Sequence, residues 1–134
     1  MKTVKQLLRE GLNEYISPTG LKNIEDKLDA AFEPLNIDIE FSRHFHDRLN
    51  DPRNGKDIEP QELMNTFNRL YTKFGNTLIN HKDLHAAVQD FNNNLNIPFH
   101  LEYDKSRKMF ELTSKTIMRK PPREFHTQDR KLRV

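Results

Sequence analysis

The spacing of apolar residues changes once along this chain, and that change constrains the fold more than any other feature. In the first part of the chain, apolar side chains recur every three or four positions, which is typical of amphipathic helices. Within residues 21–33 they are Leu21, Ile24, Leu28, Ala31 and Phe32. After Asn96, apolar and polar residues alternate, which is typical of half-buried strands. Helices followed by strands predict an α+β domain.

The expected elements follow from these two patterns and from the Pro, Gly and Asn residues between them. The expected helices are 3–16, 21–33, 43–50, 60–75 and a less regular one within 81–95. The expected strands are a short extended segment at 37–41, a hairpin of 97–103 with 109–119, and a last strand within 125–134. We therefore expect N-terminal helices packed on a C-terminal antiparallel sheet of three to four strands.

Length and composition exclude several classes of protein. The chain has 134 residues, 34% of them hydrophobic, and a mean hydropathy of −0.90, which suits one domain with a small core. It has no apolar run long enough to span a bilayer, and its first residues lack the apolar core of a secretory signal. With no cysteine, it forms neither a disulfide framework nor a thiolate metal site. A reducing compartment, or indifference to redox, fits this composition.

The charge is unevenly distributed along the chain. The net charge is only +2, yet residues 105–134 contain ten Lys/Arg against three acidic residues. Such a basic segment predicts a polyanionic partner, most simply a nucleic acid. A solvated basic tail is the alternative interpretation.

The stretch FSRHFHDRLNDPRNG, residues 41–55, has the residue types that phosphate chemistry needs. On a helix, Phe41, Phe45 and Leu49 recur at i, i+4 and i+8 and would face the core. His44 and Arg48 are also four residues apart, so they share a neighbouring flank. An imidazole transfers protons near neutral pH, and a guanidinium binds phosphate. The alternative is an ordinary solvated helix face in a protein that is 31% charged.

The remaining histidines give weaker signals. His81 and His85 are four residues apart and would chelate a metal on one helical face, although such a pair is more often a polar surface. His100 lies within the expected strand 97–103 and is interpreted as structural or exposed. No Gly-rich phosphate loop, nucleophile elbow or HExxH motif is present. We therefore predict no metal ligand and no cofactor.

Hydroxyl and basic residues follow one another along the expected strand 109–119 and beyond it. Thr113, Ser114 and Thr116 precede Arg119, and such residues on a sheet can bind a nucleic-acid backbone. The alternative is that threonine is simply a good strand residue. The residues predicted to bind nucleic acid are Lys115, Lys120, Arg123 and His126.

One resemblance covers about ninety residues, from Phe41 to the end of the chain. FSRHFHDRLNDPRNG, a helix with QEL, NIPFHLEY, KTIMRK and FHTQDRKLRV together resemble a domain of tailed-phage proteins. That domain is similar to the barnase–EndoU–colicin–RelE group of metal-independent ribonuclease folds. There, a His/Arg-rich early helix faces basic and hydroxyl residues on later strands. The resemblance implies a single site made of His44, Arg48, Arg53, Thr116 and Arg119.

A second resemblance covers only the first eleven residues, MKTVKQLLREG. They resemble the capsid-targeting peptides of internal head proteins in T-even-type phages. Leu8, Arg9 and Glu10, followed by Gly11, fit the Leu/Ile-x-Glu site of the prohead protease. The resemblance implies a propeptide at 1–10 and a single ribonuclease-like domain at 11–134. An ordinary N-terminal helix is the alternative.

Together the two resemblances imply a protein of the phage head interior that reaches the host cytoplasm and cleaves RNA without a metal. His44 would act as general acid or base, Arg48, Arg53 and Arg119 would bind the scissile phosphate, and Thr116 would position it. The implied partners are nucleic acid, RNA rather than DNA, and the phage capsid or prohead protease, with no membrane. The alternatives are a non-catalytic head protein that binds nucleic acid or a host defence protein, and a structural capsid or neck component.

Overall fold

The computed structural model describes residues 16–134, and in that part of the chain it shows three α-helices and six strands. The helices are α1 (Pro18–Phe32), α2 (Arg43–Leu49) and α3 (Pro60–Ile79). The strands are β1 (Ile37–Phe41), β2 (Asp83–Asp90), β3 (Leu95–Asp104), β4 (Met109–Ser114), β5 (Met118–Arg119) and β6 (Arg130–Arg133). The expected helix 3–16 and the cleavage site at Leu8, Glu10 and Gly11 lie outside the described residues, apart from Ile16.

Side-chain caps fix where the helices begin. The Ser17 hydroxyl accepts a hydrogen bond from the Gly20 amide at 2.9 Å, and Pro18 occupies the first helical position. Because this cap precedes the first apolar residue, α1 begins three residues earlier than the apolar spacing predicts. The Ser42 hydroxyl caps α2 in the same way by accepting from the Phe45 amide at 3.0 Å.

The six strands form one mixed sheet with the order β1-β4-β3-β2-β6, and β5 pairs with β3. β3 is antiparallel to β2, β4 and β5, whereas the pairs β1–β4 and β2–β6 are parallel. The α+β class is confirmed, but the prediction of a three- to four-stranded antiparallel sheet is wrong. The two parallel partners come from distant parts of the chain, β1 from before α2 and β6 from the last residues. Local hairpin signals do not reveal such pairings.

The prediction of a helix within 81–95 is wrong, because the chain forms β2 there. The expectation rested on the spacing of Leu84, Val88 and Phe91. In the sheet, Leu84 and Val88 point to the helices, and Ala87 and Gln89 on the opposite face are buried as well. From Ala86 to Asp90 the strand is thus buried on both faces, and there it loses the alternation that identifies strands in a sequence.

The strand expected at 109–119 is interrupted rather than continuous. Ser114 pairs with Phe99 of β3, and Met118 pairs with Asn96. The chain therefore advances four residues from Ser114 to Met118, whereas β3 advances only three between their partners. One extra residue of this kind is a β-bulge. The Lys115 amide donates to the carbonyl of Pro98 at 2.9 Å and keeps the bulged segment against β3.

The two faces of the sheet differ in chemistry. Helices α1 and α3 pack on the apolar face, where Phe32 and Phe67 meet at a ring-centroid distance of 6.4 Å. The opposite face, called the open face below, carries polar residues of β1, β4, β3 and β2. These residues include Asp38, Glu40, Glu111, Thr113, His100, Glu102, Asp83 and His85. No described helix is long and apolar enough to cross a membrane.

The segment 115–129 covers one end of the open face. The Gln89 side-chain amide donates to the carbonyl of Pro122 at 3.1 Å, and that of Asn96 donates to the carbonyl of Lys120 at 3.0 Å. Both amides are buried, 4% and 0% exposed. Among the described residues, the uncovered part of the open face lies toward the β3–β4 hairpin, where the histidines of β2 and β3 lie.

Candidate functional site

The arginines expected in the helix–turn site share one carboxylate. In the turn after α2, an Arg53 guanidinium nitrogen lies 2.7 Å from an Asp51 carboxylate oxygen, and Nε of Arg48 lies 3.7 Å from the same oxygen. The hydrogen bond from Arg53 lowers the pKa of Asp51 to about 2. His44 is exposed on the surface of α2. The structure therefore brings Arg48 and Arg53 together, with Asp51 as their counter-ion.

The Arg119 guanidinium is fully engaged inside the protein. Its Nε donates to the carbonyl of Lys56, and its two terminal nitrogens donate to Glu62 and to the carbonyls of Asp57 and Asn93, at distances from 2.7 to 3.1 Å. These five hydrogen bonds use all five N–H donors of a guanidinium. With a side chain only 11% exposed, Arg119 has no donor left for a phosphate in this arrangement. The geometry favours a structural role, and the catalytic role remains a prediction.

The later strand and the turn after α2 do meet, through Asn54. The Asn54 side-chain oxygen accepts from the Arg119 backbone amide at 3.2 Å, and its amide nitrogen donates to the carbonyl of Arg48 at 2.7 Å. Thr116 lies in the bulge, and its hydroxyl is buried without a hydrogen-bond partner among the described residues. The contact is thus made by buried structural hydrogen bonds rather than by side chains that face solvent.

Four reactive groups instead meet on the open face, on β2, β3 and the bulge. His85 and His100 are directly opposite each other in the β2–β3 register, and their rings stack at 4.1 Å with an interplanar angle of 2°. An Asp83 carboxylate oxygen lies 2.6 Å from Nε2 of His100. The Lys115 ammonium lies 3.3 Å from Nδ1 of His85. These four residues are called the histidine cluster below.

Strand geometry explains how the sequence builds the histidine cluster. Side chains two residues apart lie on the same face, so Asp83 and His85 both project from the open face of β2. The register then sets His100 of β3 beside His85. The bulge turns Lys115 back toward β3, so its side chain reaches the histidines from the other end of the open face.

The hydrogen-bond partners define the protons of the two imidazoles. An ammonium can only donate, so Nδ1 of His85 holds a lone pair toward Lys115 and the ring carries its proton on Nε2. Nε2 of His100 faces the Asp83 carboxylate and therefore carries a proton. In the histidine cluster, His85 can thus accept a hydrogen bond from a cation, and His100 can donate one to a carboxylate.

The same atoms form a set that a metal ion can use. One ligand atom each from Asp83, His85 and His100 lies within 4.8 Å of the others, and two imidazoles with a carboxylate are typical zinc ligands. The Lys115 ammonium opposes a cation there, because it occupies the lone pair of His85 and repels positive charge. Proton transfer therefore uses all four groups. Metal binding would use Asp83, His85 and His100, and the positive charge of Lys115 would weaken it.

Carboxylates surround the hairpin end of the open face. Asp38, Glu40 and Glu111 have oxygens within 4.8 Å of one another. The hydrogen bond with Glu25, together with burial, raises the pKa of Glu40 to about 7. Burial raises the pKa of Asp29 to about 6. The histidine cluster therefore lies between an acidic region at this end and the basic segment 115–133 at the other.

The residues predicted to bind nucleic acid lie on that basic side. Lys115 belongs to the histidine cluster, and the Lys120 ammonium lies 5.7 Å from the centre of the Phe125 ring. Arg123 lines a surface cavity described below, and His126 is exposed. Lys115 is thus part of the histidine cluster, whereas Lys120, Arg123 and His126 lie further along the basic segment.

Sequence reasoning missed His85, His100 and Asp83 as a group. The signal was present in the triplets DLH at 83–85 and HLE at 100–102, which put charged or imidazole side chains on alternate positions. It could be used only if residues 83–90 were recognised as a strand. The alternative of a metal pair at His81 and His85 on one helical face does not apply for the same reason, and His81 instead contacts the carbonyl of Thr77 at the end of α3.

Comparisons of the chain with models of protein families, with curated proteins and with solved structures give no match. What the chain does is therefore inferred from the chemistry of its own residues.

Proposed function

We propose that this protein cleaves RNA by metal-independent transesterification at the histidine cluster. The observation that carries the proposal is the contact of His100 with Asp83 at 2.6 Å, beside the stacked ring of His85. Cleavage next to a 2′-hydroxyl needs a base, an acid and a cation for the phosphate. His85, His100 and Lys115 supply these three groups within one exposed cluster.

The first half of the reaction uses Lys115 and His85. When a phosphate binds, its oxygen takes the Lys115 ammonium and so frees Nδ1 of His85. That nitrogen accepts the proton of the 2′-hydroxyl, and the 2′-oxygen attacks phosphorus. Lys115 stabilises the additional negative charge on the phosphate oxygens.

The second half uses His100 and Asp83. The bond between phosphorus and the 5′-oxygen breaks, and His100, oriented by its contact with Asp83, donates a proton to that oxygen. The products are a 2′,3′-cyclic phosphate and a 5′-hydroxyl. Both rings return to their starting forms by exchanging protons with water. DNA lacks the 2′-hydroxyl and is not a substrate.

Cleavage of an RNA oligonucleotide in EDTA tests the proposal. We expect the wild-type protein to cleave the RNA, to leave DNA of the same sequence intact and to form a 2′,3′-cyclic phosphate. His85→Ala and His100→Ala should each lose about 100- to 10,000-fold in rate, the usual contribution of one general acid or base. Because the mechanism needs one neutral and one charged ring, kcat/KM should follow a bell-shaped pH profile.

His44→Ala is the matched control, since His44 is exposed on α2. We expect this variant to cleave like the wild type. Loss of activity in His44→Ala with full activity in His85→Ala would favour the helix–turn site that the ribonuclease resemblance implies. RNA left intact by the wild type at every protein concentration would rule out the enzyme.

Non-catalytic binding is the second candidate function. The uneven charge of the chain favours it, since ten of its Lys/Arg residues lie in the last thirty positions. A head protein of this kind would bind nucleic acid or a host defence protein with the same surface. Binding that weakens steeply with salt, without any cleavage, would support this alternative.

The proposed location is the interior of a phage head, with later delivery to the host cytoplasm. It is supported by the resemblance of MKTVKQLLREG to capsid-targeting peptides, which lies outside the described residues. Removal after Glu10 predicts that mature virions contain a chain beginning at Gly11. Mass spectrometry of purified virions checks this, and a chain that still begins at Met1 in mature heads would contradict it.

A further inference from the structure

A second surface feature lies at the opposite end of β2 from the histidine cluster. Phe91 is the exposed large hydrophobic residue among those that the structure describes, with 38% of its surface accessible. The Arg133 guanidinium lies over its ring at 3.9 Å from the centre. A cavity of about 310 Å³ opens beside it. Its lining residues are Phe91, Asn94, Pro121, Pro122 and Arg123.

Phe91 is held in place by a hydrogen-bonded turn. It follows Asp90, whose buried carboxylate accepts hydrogen bonds from the amides of Asn92 and Asn93 at 3.0 and 3.1 Å and from the Thr66 hydroxyl at 2.7 Å. The turn fixes the backbone on both sides of the ring. Exposure of Phe91 is therefore built into the fold.

We propose that this cavity binds one nucleobase of a single-stranded nucleic acid. A base has two flat apolar faces and a polar edge. The Phe91 ring and the two prolines offer apolar walls for the faces, and the Asn94 amide offers a donor and an acceptor for the edge. Aromatic stacking of this kind is a common way in which proteins hold unpaired bases.

The charges around the cavity select an anionic chain as its occupant. Arg123 lines the cavity and Arg133 covers the Phe91 ring, so cations lie where the phosphates on either side of a bound base would pass. Lys131, on the same strand as Arg133, continues the positive surface toward the histidine cluster. A duplex does not fit, because its bases stay stacked inside the helix.

The geometry also connects the cavity to the proposed cleavage site. Phe91 is six residues beyond His85 in the chain, which corresponds to about 20 Å along a strand. The β2–β6 register places Lys131 opposite Ala87 and Arg133 opposite Gln89, on the side of the sheet that carries His85. Because segment 115–129 covers β2 between these two points, an RNA strand bound at Phe91 would reach the histidine cluster along β6, past the exposed Arg133 and Lys131. That connection rests on the proposed function, whereas base binding does not.

Binding of a non-cleavable strand tests the base site. The probe is a fluorescein-labelled 2′-O-methyl oligouridine of twelve nucleotides, and its partner probe is an abasic strand of the same length and charge. We expect Phe91→Ala to weaken binding of the oligouridine by about 5- to 100-fold, since one stacked base contributes that much, and to leave abasic binding unchanged. Fluorescence anisotropy of the full chain measures both affinities.

Two variants control this experiment. Phe91→Trp keeps an aromatic surface and should retain the preference for the oligouridine. Lys131→Ala removes an exposed charge of β6 on the side of the sheet that carries His85, and it should weaken both probes equally. Thermal unfolding verifies that each variant is folded.

The outcomes separate the base site from the enzyme. A Phe91→Ala chain that binds the oligouridine like the wild type, or that loses both probes equally, overturns the base site. If it loses only the oligouridine while the wild type cleaves no RNA, the base site stands and the cleavage proposal fails. If the wild type cleaves RNA but Phe91→Ala keeps full affinity, the cleavage proposal stands alone.

Discussion

At the scale of single residues, arginines with the same side chain have different roles in this protein. Arg119 donates five hydrogen bonds from a nearly buried position, whereas Arg53 donates to Asp51 from a side chain that is 70% exposed. Both lie in sequences that suggest phosphate binding. Burial and the number of donors in use distinguish them, and neither can be read from the residue type.

Replacing Arg119 should therefore destabilise the fold. Arg119→Ala removes the partner of Glu62 and five hydrogen bonds, and we expect a loss of about 3–5 kcal/mol, typical of breaking a buried ion pair. Arg119→Lys should also be destabilising, because an ammonium cannot reproduce the planar set of donors. Urea unfolding measures both changes. Arg53→Ala is the control, and a loss as large as that of Arg119→Ala would contradict this distinction.

At the scale of elements, α1 and β1 are joined by carboxylates that repel one another when ionised. Glu25 and Asp29 of α1 lie against Asp38 and Glu40 of β1, and an Asp29 oxygen accepts a hydrogen bond from the Ile39 amide at 2.6 Å. The pKa values of Glu40 and Asp29 are raised to about 7 and about 6. The repulsion between these carboxyl groups is therefore reduced when Glu40 and Asp29 carry protons.

This contact predicts a pH dependence of stability with a definite sign. The native state binds the Glu40 proton more tightly than the unfolded chain, so its stabilising effect is complete below about pH 4.5 and is lost as pH rises through about 7. Glu40→Gln cannot ionise and keeps a hydrogen-bonding group. We expect it to be more stable than the wild type at pH 8, and this advantage to vanish near pH 4.

Thermal unfolding across this pH range measures the difference. Glu124→Gln, in the turn Pro122–Glu124 at the other end of the open face, should show no such change. A wild type that is as stable as Glu40→Gln at pH 8 would contradict the proposed cause. Some pH dependence should remain in Glu40→Gln, because Asp29 titrates in the same range.

At the scale of the whole molecule, the sequence predicts the class of the fold but not the arrangement of its sheet. The helices at Pro18–Phe32 and Arg43–Leu49 and the hairpin of β3 and β4 follow from local spacing and caps, and they are found where expected within a few residues. The parallel pairings of β1 with β4 and of β6 with β2 could not be predicted, because each depends on contacts between distant segments. β2 was misread because its second half, from Ala86 to Asp90, is buried on both faces.

The candidate site could not be predicted for the same reason, because its residues come from distant parts of the chain. Residues that share a helix, such as His44 and Arg48, are easy to group from sequence, because their spacing is local. The histidine cluster combines β2, β3 and the bulge after β4, so its four members come together only through strand register. Lys115 was predicted to bind nucleic acid from its charge alone, but its contact with His85 depends on the bulge.

The outer strands of the sheet also bear on how copies of this protein behave at high concentration. An exposed strand edge offers free amides and carbonyls to which another chain can add, which is a common route to aggregation. On β1, the Ile39 amide already donates to Asp29, and on β6 three of the four residues are charged: Arg130, Lys131 and Arg133. Both edges of the sheet thus discourage the addition of a further strand, a property that would suit a protein stored in a crowded space.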